Sequence, residues 1–126
     1  ALCLGASTAV AVDIDPKAVD VAYENAALNG IDRSRYTVRW GDVLSDQQLK
    51  AEIGGGYDMV VANIVADVII GMAPMFFAKT AEGGTLICSG ILNERADEVR
   101  AALEKAGFTV LHHAKSDDWS AFTAKK

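Results

Sequence analysis

A short apolar run that leads straight into a capped helix opens this chain, and it narrows the folds available. Residues 8–14, TAVAVDI, are small and β-branched and end in acids, the composition of a buried strand. DPKAVDVAYENAALNG follows over residues 15–30. Asp15 suits an N-cap, Pro16 the first helical position and Gly30 the stop. Ala18, Val19, Ala22 and Ala26 fall on one face of that helix. The alternation then continues. YTVRWGDV (36–43) predicts a second strand, and the glycines at 54–56 a turn before a third strand at 58–62. A helical stretch from about 66 to 80 contains Pro74, which should kink or restart it. EGGTLICSGI (82–91) predicts a turn and a fourth strand. A helix starting at Asn93 should bury Ala96, Val99, Leu103 and Ala106 and end at Gly107. FTVLHHAKSDDWSAFTAKK (108–126) predicts a closing hairpin. Strands joined by helices imply an α/β fold with a doubly wound, mainly parallel sheet, to which the hairpin adds an antiparallel strand.

Composition sets outer limits. The chain has 126 residues, 51% of them hydrophobic, which suits a single globular domain over residues 1–126. A net charge of -5 argues against a broad basic face for nucleic acid. No run approaches the ~18 apolar residues of a membrane span, and no signal peptide is visible. The first residue is Ala1, and ALCLGAS (1–7) reads as the tail of a helix with its exit turn, so the chain is expected to be a piece of a longer protein. Cys3 and Cys88 match no metal-ligand spacing and are expected to be free thiols; no metal site is predicted.

Three polar residues end apolar runs. In open α/β sheets ligands bind outside the carboxyl ends of the strands. Asp13 sits there and can accept both hydroxyls of a ribose, or it is simply a solvated strand end. Asp42 ends the next run. Its carboxylate can take the exocyclic amine of an adenine while the Val43 N–H gives to a ring nitrogen, with Ile14 and Val43 lining the base; the alternative is a turn aspartate after Gly41. Asn63 interrupts VVANIVAD (60–67). Its amide oxygen can hold an amine N–H and aim the nitrogen lone pair at an electrophile, or it caps the helix near Ala66.

Asp13-Ile14-Asp15-Pro16, Gly41-Asp42 and Asn63-Ile64-Val65-Ala66-Asp67 resemble the later motifs of class I S-adenosylmethionine-dependent methyltransferases. With GGTLICSGIL (83–92) and WSAFTAKK (119–126), the whole chain looks like the PrmA family, bacterial methyltransferases of the large-subunit ribosomal protein L-eleven. The release-factor glutamine methyltransferases carry NPPY at the position of NIVAD, and this chain does not. The resemblance implies a cytoplasmic enzyme with S-adenosylmethionine as cofactor and a large-subunit ribosomal protein as substrate, with no membrane or direct nucleic-acid partner. Lysine side chains and an N-terminal amine would be methylated. Asp13 and Ile14, Asp42 and Val43 would bind the cofactor, and Asn63 would sit by its methyl group and orient the amine. The family's glycine-rich loop, the strand leading into it and the preceding substrate domain are absent here. That strand would lie centrally, between the strands at 8–13 and 58–62, so the chain alone is expected to bind cofactor weakly or not at all.

Other residues read as structural. His112 and His113 point to opposite faces of a strand. Cys88 reads as a core residue, and Met72, Met75, Phe76 and Phe77 as packing. Trp40 either shields an adenine or packs in the core. The glycines at 54–56 do not open a helix and make a poor phosphate cradle. Besides a non-functional truncation product, two rival readings stay open. One is another class I methyltransferase, acting on a small molecule, a release-factor glutamine or a nucleic acid. The other is a non-catalytic nucleotide-binding α/β module, which would need neither Asp42 nor Asn63.

Overall fold

The computed structural model describes residues 1–126, which form two compact units, Ala1–Ile53 and Gly54–Lys126.

The first unit opens with a 3-10 turn, Leu2–Leu4, closed by Gly5 in the left-handed region. Strand β1 (Ala9–Asp13) leads into helix α1 (Pro16–Leu28), then β2 (Tyr36–Trp40) and the short α2 (Gln47–Glu52). Asp15 caps α1 by accepting the Lys17 N–H at 2.9 Å, with Pro16 in the first turn, as the sequence predicts. The strands pair in parallel from Ala9↔Tyr36 to Asp13↔Trp40. Arg35 ties the N-terminal turn down, donating to the carbonyls of Ala6 and Ser7. The Val38 N–H donates to the Tyr23 hydroxyl at 2.9 Å, so a side chain of α1 satisfies part of β2's backbone. Two expectations fail here. No residue of β1 is fully buried, because a two-stranded ribbon packed by α1 cannot cover both faces. β2 ends at Trp40 rather than Val43, since Gly41 takes a φ of 148° and turns the chain out of the ladder. Helix α2, capped by the Asp46 side chain on the Leu49 N–H, is too short to show periodicity and was not anticipated.

The second unit holds β3 (Tyr57–Asn63), α3 (Ala66–Lys79), β4 (Thr80–Leu92), α4 (Ala96–Ala106), β5 (Thr109–Lys115) and β6 (Trp119–Lys125). The strand order is β3-β4-β6-β5, with β3 and β4 parallel and β6 antiparallel to both its neighbours. Parallel strands linked by helices and an antiparallel closing hairpin are the α/β class expected. The core gathers Ile69, Ala73 and Phe76 of α3, Val99 and Leu103 of α4, and Leu86, Cys88, Ile91 and Phe122 of the sheet. Met72, Met75 and Phe77 pack around it. Both helices therefore cover one face. The other face leaves Met59, Val61 and Asn63 exposed, so the run before Asn63 is half-buried.

Three further differences have local causes. α3 continues through Pro74 without restarting. It passes directly into β4, where the buried Thr80 hydroxyl donates to the Phe76 carbonyl at 2.6 Å. Asn93 does not cap α4. A 3-10 turn, Asn93–Arg95, precedes that helix, and the Asn93 amide donates instead to the Ser116 and Asp117 carbonyls of the hairpin turn. Gly107 ends α4 with a φ of 118°, as predicted. Cys88 is fully buried and free, Cys3 exposed and free. His113 stacks on Phe122 at 4.5 Å and hydrogen-bonds Ser120, while His112 is exposed, so the structural reading of both histidines holds. No helix is long and apolar enough to cross a membrane.

Candidate functional site

In the first unit the two acidic residues come together at the carboxyl ends of adjacent strands. Asp13 ends β1 opposite Trp40, and its carbonyl accepts the Gly41 N–H at 3.0 Å. The Asp13 side chain turns back on its own loop, where Oδ1 accepts the Asp15 N–H at 2.9 Å. Asp42 lies two residues past the end of β2. Its Oδ1 accepts the Leu44 N–H at 2.9 Å, and its carbonyl accepts from Ser45 and Asp46. Asp42 is thus a turn aspartate, fixed in place by the turn it makes. An ionised carboxylate offers about four lone-pair sites, so each retains acceptor capacity facing solvent.

Apolar surface lies beside them. The Trp40 indole donates to the Ile14 carbonyl at 3.0 Å, bridging the ends of β1 and β2. Trp40 is 63% exposed and Ile14 71% exposed. Trp40 is therefore not a core residue. The Val43 side chain is buried, so its part in a base site would rest on its backbone N–H. A hollow of about 410 Å³ in the same unit is lined by Pro16, Val19, Trp40, Asp46 and Leu49 among others, and reaches neither Asp13 nor Asp42.

Asn63 belongs to the second unit. It is the last residue of β3, in register with Ser89 of β4. It does not cap α3, whose N-cap is Val65 with no side-chain bond. Its amide oxygen packs on Gly90, where a Cβ would lie only 2.6 Å away. Gly90 has a φ of 80° and falls where the β4–β6 register slips between Cys88 and Ile91. The loop after Asn63 is anchored twice. The Ile64 N–H donates to the Ser89 carbonyl at 3.3 Å, and Asp67 in the first turn of α3 pairs with Arg95 before α4. The Arg95 guanidinium holds the Asp67 carboxyl below the usual range. Sequence reasoning missed Ser89, Gly90 and Arg95. Only the glycine inside a strand pattern signalled a bulge.

The sequence pattern of the ribosomal protein L11 methyltransferase (PrmA) family matches residues 1–126, the whole chain. The chain belongs to that family. Among curated relatives, the ribosomal protein L11 methyltransferase of Agathobacter rectalis is 39% identical over 127 residues, covering 100% of this chain and 39% of its own length. That of Pelotomaculum thermopropionicum is 43% identical over 122 residues, 97% of this chain and 37% of its length. The crystal structure of ribosomal protein L11 methylase from Lactobacillus delbrueckii subsp. bulgaricus superposes with a TM-score of 0.84 at 28% identity, over 98% of this chain and 60% of that one. The chain therefore spans about two fifths of the length of these curated relatives. Within the PrmA family, Asp13, Asp42 and Asn63 are the residues the sequence singled out by their places at strand ends, and all three do end or closely follow strands here.

Proposed function

We propose that this chain is part of one catalytic domain of an S-adenosylmethionine-dependent N-methyltransferase. It acts in the cytoplasm on lysine side chains or the N-terminal amine of ribosomal protein L11. The observation that carries the reading is the pair of acidic residues at the ends of β1 and β2. Asp13 and Asp42 each spend one oxygen on their own turn and keep acceptor capacity beside the exposed Ile14 and Trp40. That set of acceptors fits an adenosine. Asp13 takes the ribose hydroxyls, and Asp42 with the Val43 N–H takes the adenine edge, against Ile14. Family membership supplies the methyl-donor chemistry.

Asn63 orients the accepting amine. An ammonium has no lone pair, and a lysine amine has an ordinary pKa of about 10.4. The amine must therefore arrive neutral or lose its proton on binding. Asn63 is polar and uncharged, so its amide oxygen accepts an N–H of the amine without supplying the full counter-charge that a carboxylate would add to hold the amine as ammonium. Positioning of this kind lowers a displacement barrier with no dedicated base.

Calorimetric titration of S-adenosylhomocysteine tests the reading. This chain and a chain extended upstream to its relatives' length are compared, each with Asp13 intact and as Asp13→Ala. Binding by the extended chain that is lost on substitution supports the reading. A folded extended chain that does not bind overturns it in favour of another nucleotide or a structural role.

A further inference from the structure

A second polar residue stands beside Asn63 on the neighbouring strand. Ser89 is its in-register neighbour on β4. Residues in register on parallel strands point to the same face, so Ser89 shares the face on which Met59, Val61 and Asn63 are exposed. Ser89 itself is only partly buried. The next residue, Gly90, also faces this spot, because the Cβ it lacks would meet Asn63 Oδ1 at 2.6 Å. A bulge re-aims successive residues in this way. The irregularity between Cys88 and Ile91 places it here. The result is a bare patch of backbone at Gly90 beside the Asn63 amide, with Ser89 the residue before it on β4.

We propose that Ser89 is a second amine acceptor, paired with Asn63, and that together they hold the two N–H bonds of an unmethylated primary amine. The proposal rests on the methyltransferase reading above. Two acceptors each about 2.9 Å from one tetrahedral nitrogen stand about 4.7 Å apart. Adjacent strands lie about 4.8 Å apart, so neighbouring in-register side chains start at the spacing required. With both N–H bonds occupied, the lone pair is left in one direction, toward the methyl donor. The lone pair forms the N–C bond, the C–S bond breaks with its electron pair going to sulfur, and the nitrogen then releases a proton to water.

The number of N–H bonds falls as the amine is methylated, and this makes Ser89 separable from a structural residue. A primary amine uses both acceptors. A monomethyl amine has one N–H, which Asn63 takes. A dimethyl amine has none, and its transfer leaves a quaternary nitrogen with no proton to release. Ser89 therefore assists the first transfer most and the third not at all.

The test uses the extended chain with ribosomal protein L11, followed by mass spectrometry through the mono-, di- and trimethyl forms. Ser89→Ala is expected to slow the first transfer about tenfold, the size of one lost hydrogen bond, and to leave the third unchanged. Ser89→Thr keeps the hydroxyl in a strand-compatible residue and restores the first transfer. Equal slowing of all three steps, or no slowing, overturns the proposal. Failure of the unsubstituted extended chain to bind S-adenosylhomocysteine or transfer any methyl group overturns the underlying reading instead.

Discussion

The Asn63 amide oxygen stands 2.6 Å from the place a Cβ would take on Gly90, and the Ile64 carbonyl 3.2 Å from it. Any side chain at position 90 must displace the amide or the loop behind it. The φ of 80° at Gly90 adds backbone strain for an L residue. Gly90→Ala is therefore expected to cost about 1–3 kcal/mol of stability. It should also slow methyl transfer about a hundredfold, the usual penalty for misplacing a reacting group by about 1 Å. Under the proposed function cofactor affinity should hold, since Asp13 and Asp42 are untouched. Thermal melting, S-adenosylhomocysteine titration and transfer rates on the extended chain separate these effects. A rate that is unchanged would mean Asn63 has no need of its present position.

What the sequence made legible was what local chemistry decides. Asp15-Pro16 fixed the start of α1, Gly107 the end of α4, and the apolar runs before Asp13 and Asn63 placed both residues at strand ends. What stayed hidden depends on distant partners. Asn93 looks like an N-cap, yet its amide is taken by carbonyls 23 and 24 residues away. Ser89 and Gly90 gain meaning only from the register of β4 with β3 on one side and the slip against β6 on the other. Asp42 reads from sequence as the end of a strand, but Gly41 turns the chain before it, so it sits in a turn two residues past β2.

Cys88 and Cys3 should differ sharply in reactivity. Burial pushes the Cys88 thiol up to about 12, while Cys3 is exposed. At pH 8, a disulfide-exchange reagent is expected to label one thiol in the native protein and the second only on unfolding. The sign of the pH effect follows. A thiol with a raised native pKa disfavours the folded state once the unfolded thiol ionises, so its contribution falls as pH rises from about 8.5 toward the native value. Rapid labelling of both thiols under native conditions would contradict the buried placement of Cys88.

Asp67 links the loop after β3 to the start of α4 through Arg95. Its carboxyl is held below the ordinary value, first by the hydrogen bond and then by the charge of Arg95. A carboxyl depressed in the native state adds stability above its unfolded pKa of about 3.9, and that contribution is lost as pH falls through the native value. Titration by NMR should find the Asp67 midpoint below about 3.9. Arg95→Gln should return it to the ordinary range, and added salt should narrow the difference, because Asp67 is an exposed partner. A midpoint that ignores Arg95 would rule out the brace.

Ser120 is the centre of the polar chain that fastens the hairpin to the end of β4. Buried at 2% exposure, it donates to Asn93 Oδ1 at 2.6 Å and lies 2.9 Å from His113 Nε2. One hydroxyl carries one proton, and Asn93 receives it. His113 must then donate through Nε2, which fixes the neutral ring in the Nε2–H form. Ser120→Ala strands both neighbours at once. The expected loss is about 1–3 kcal/mol, against almost none for Ser116→Ala in the exposed turn. Nitrogen NMR of His113 should show the Nε2–H tautomer in the unsubstituted protein and a mixture in Ser120→Ala. A Ser120→Ala protein as stable as Ser116→Ala would show that the Asn93 bonds to the Ser116 and Asp117 carbonyls hold the hairpin without help.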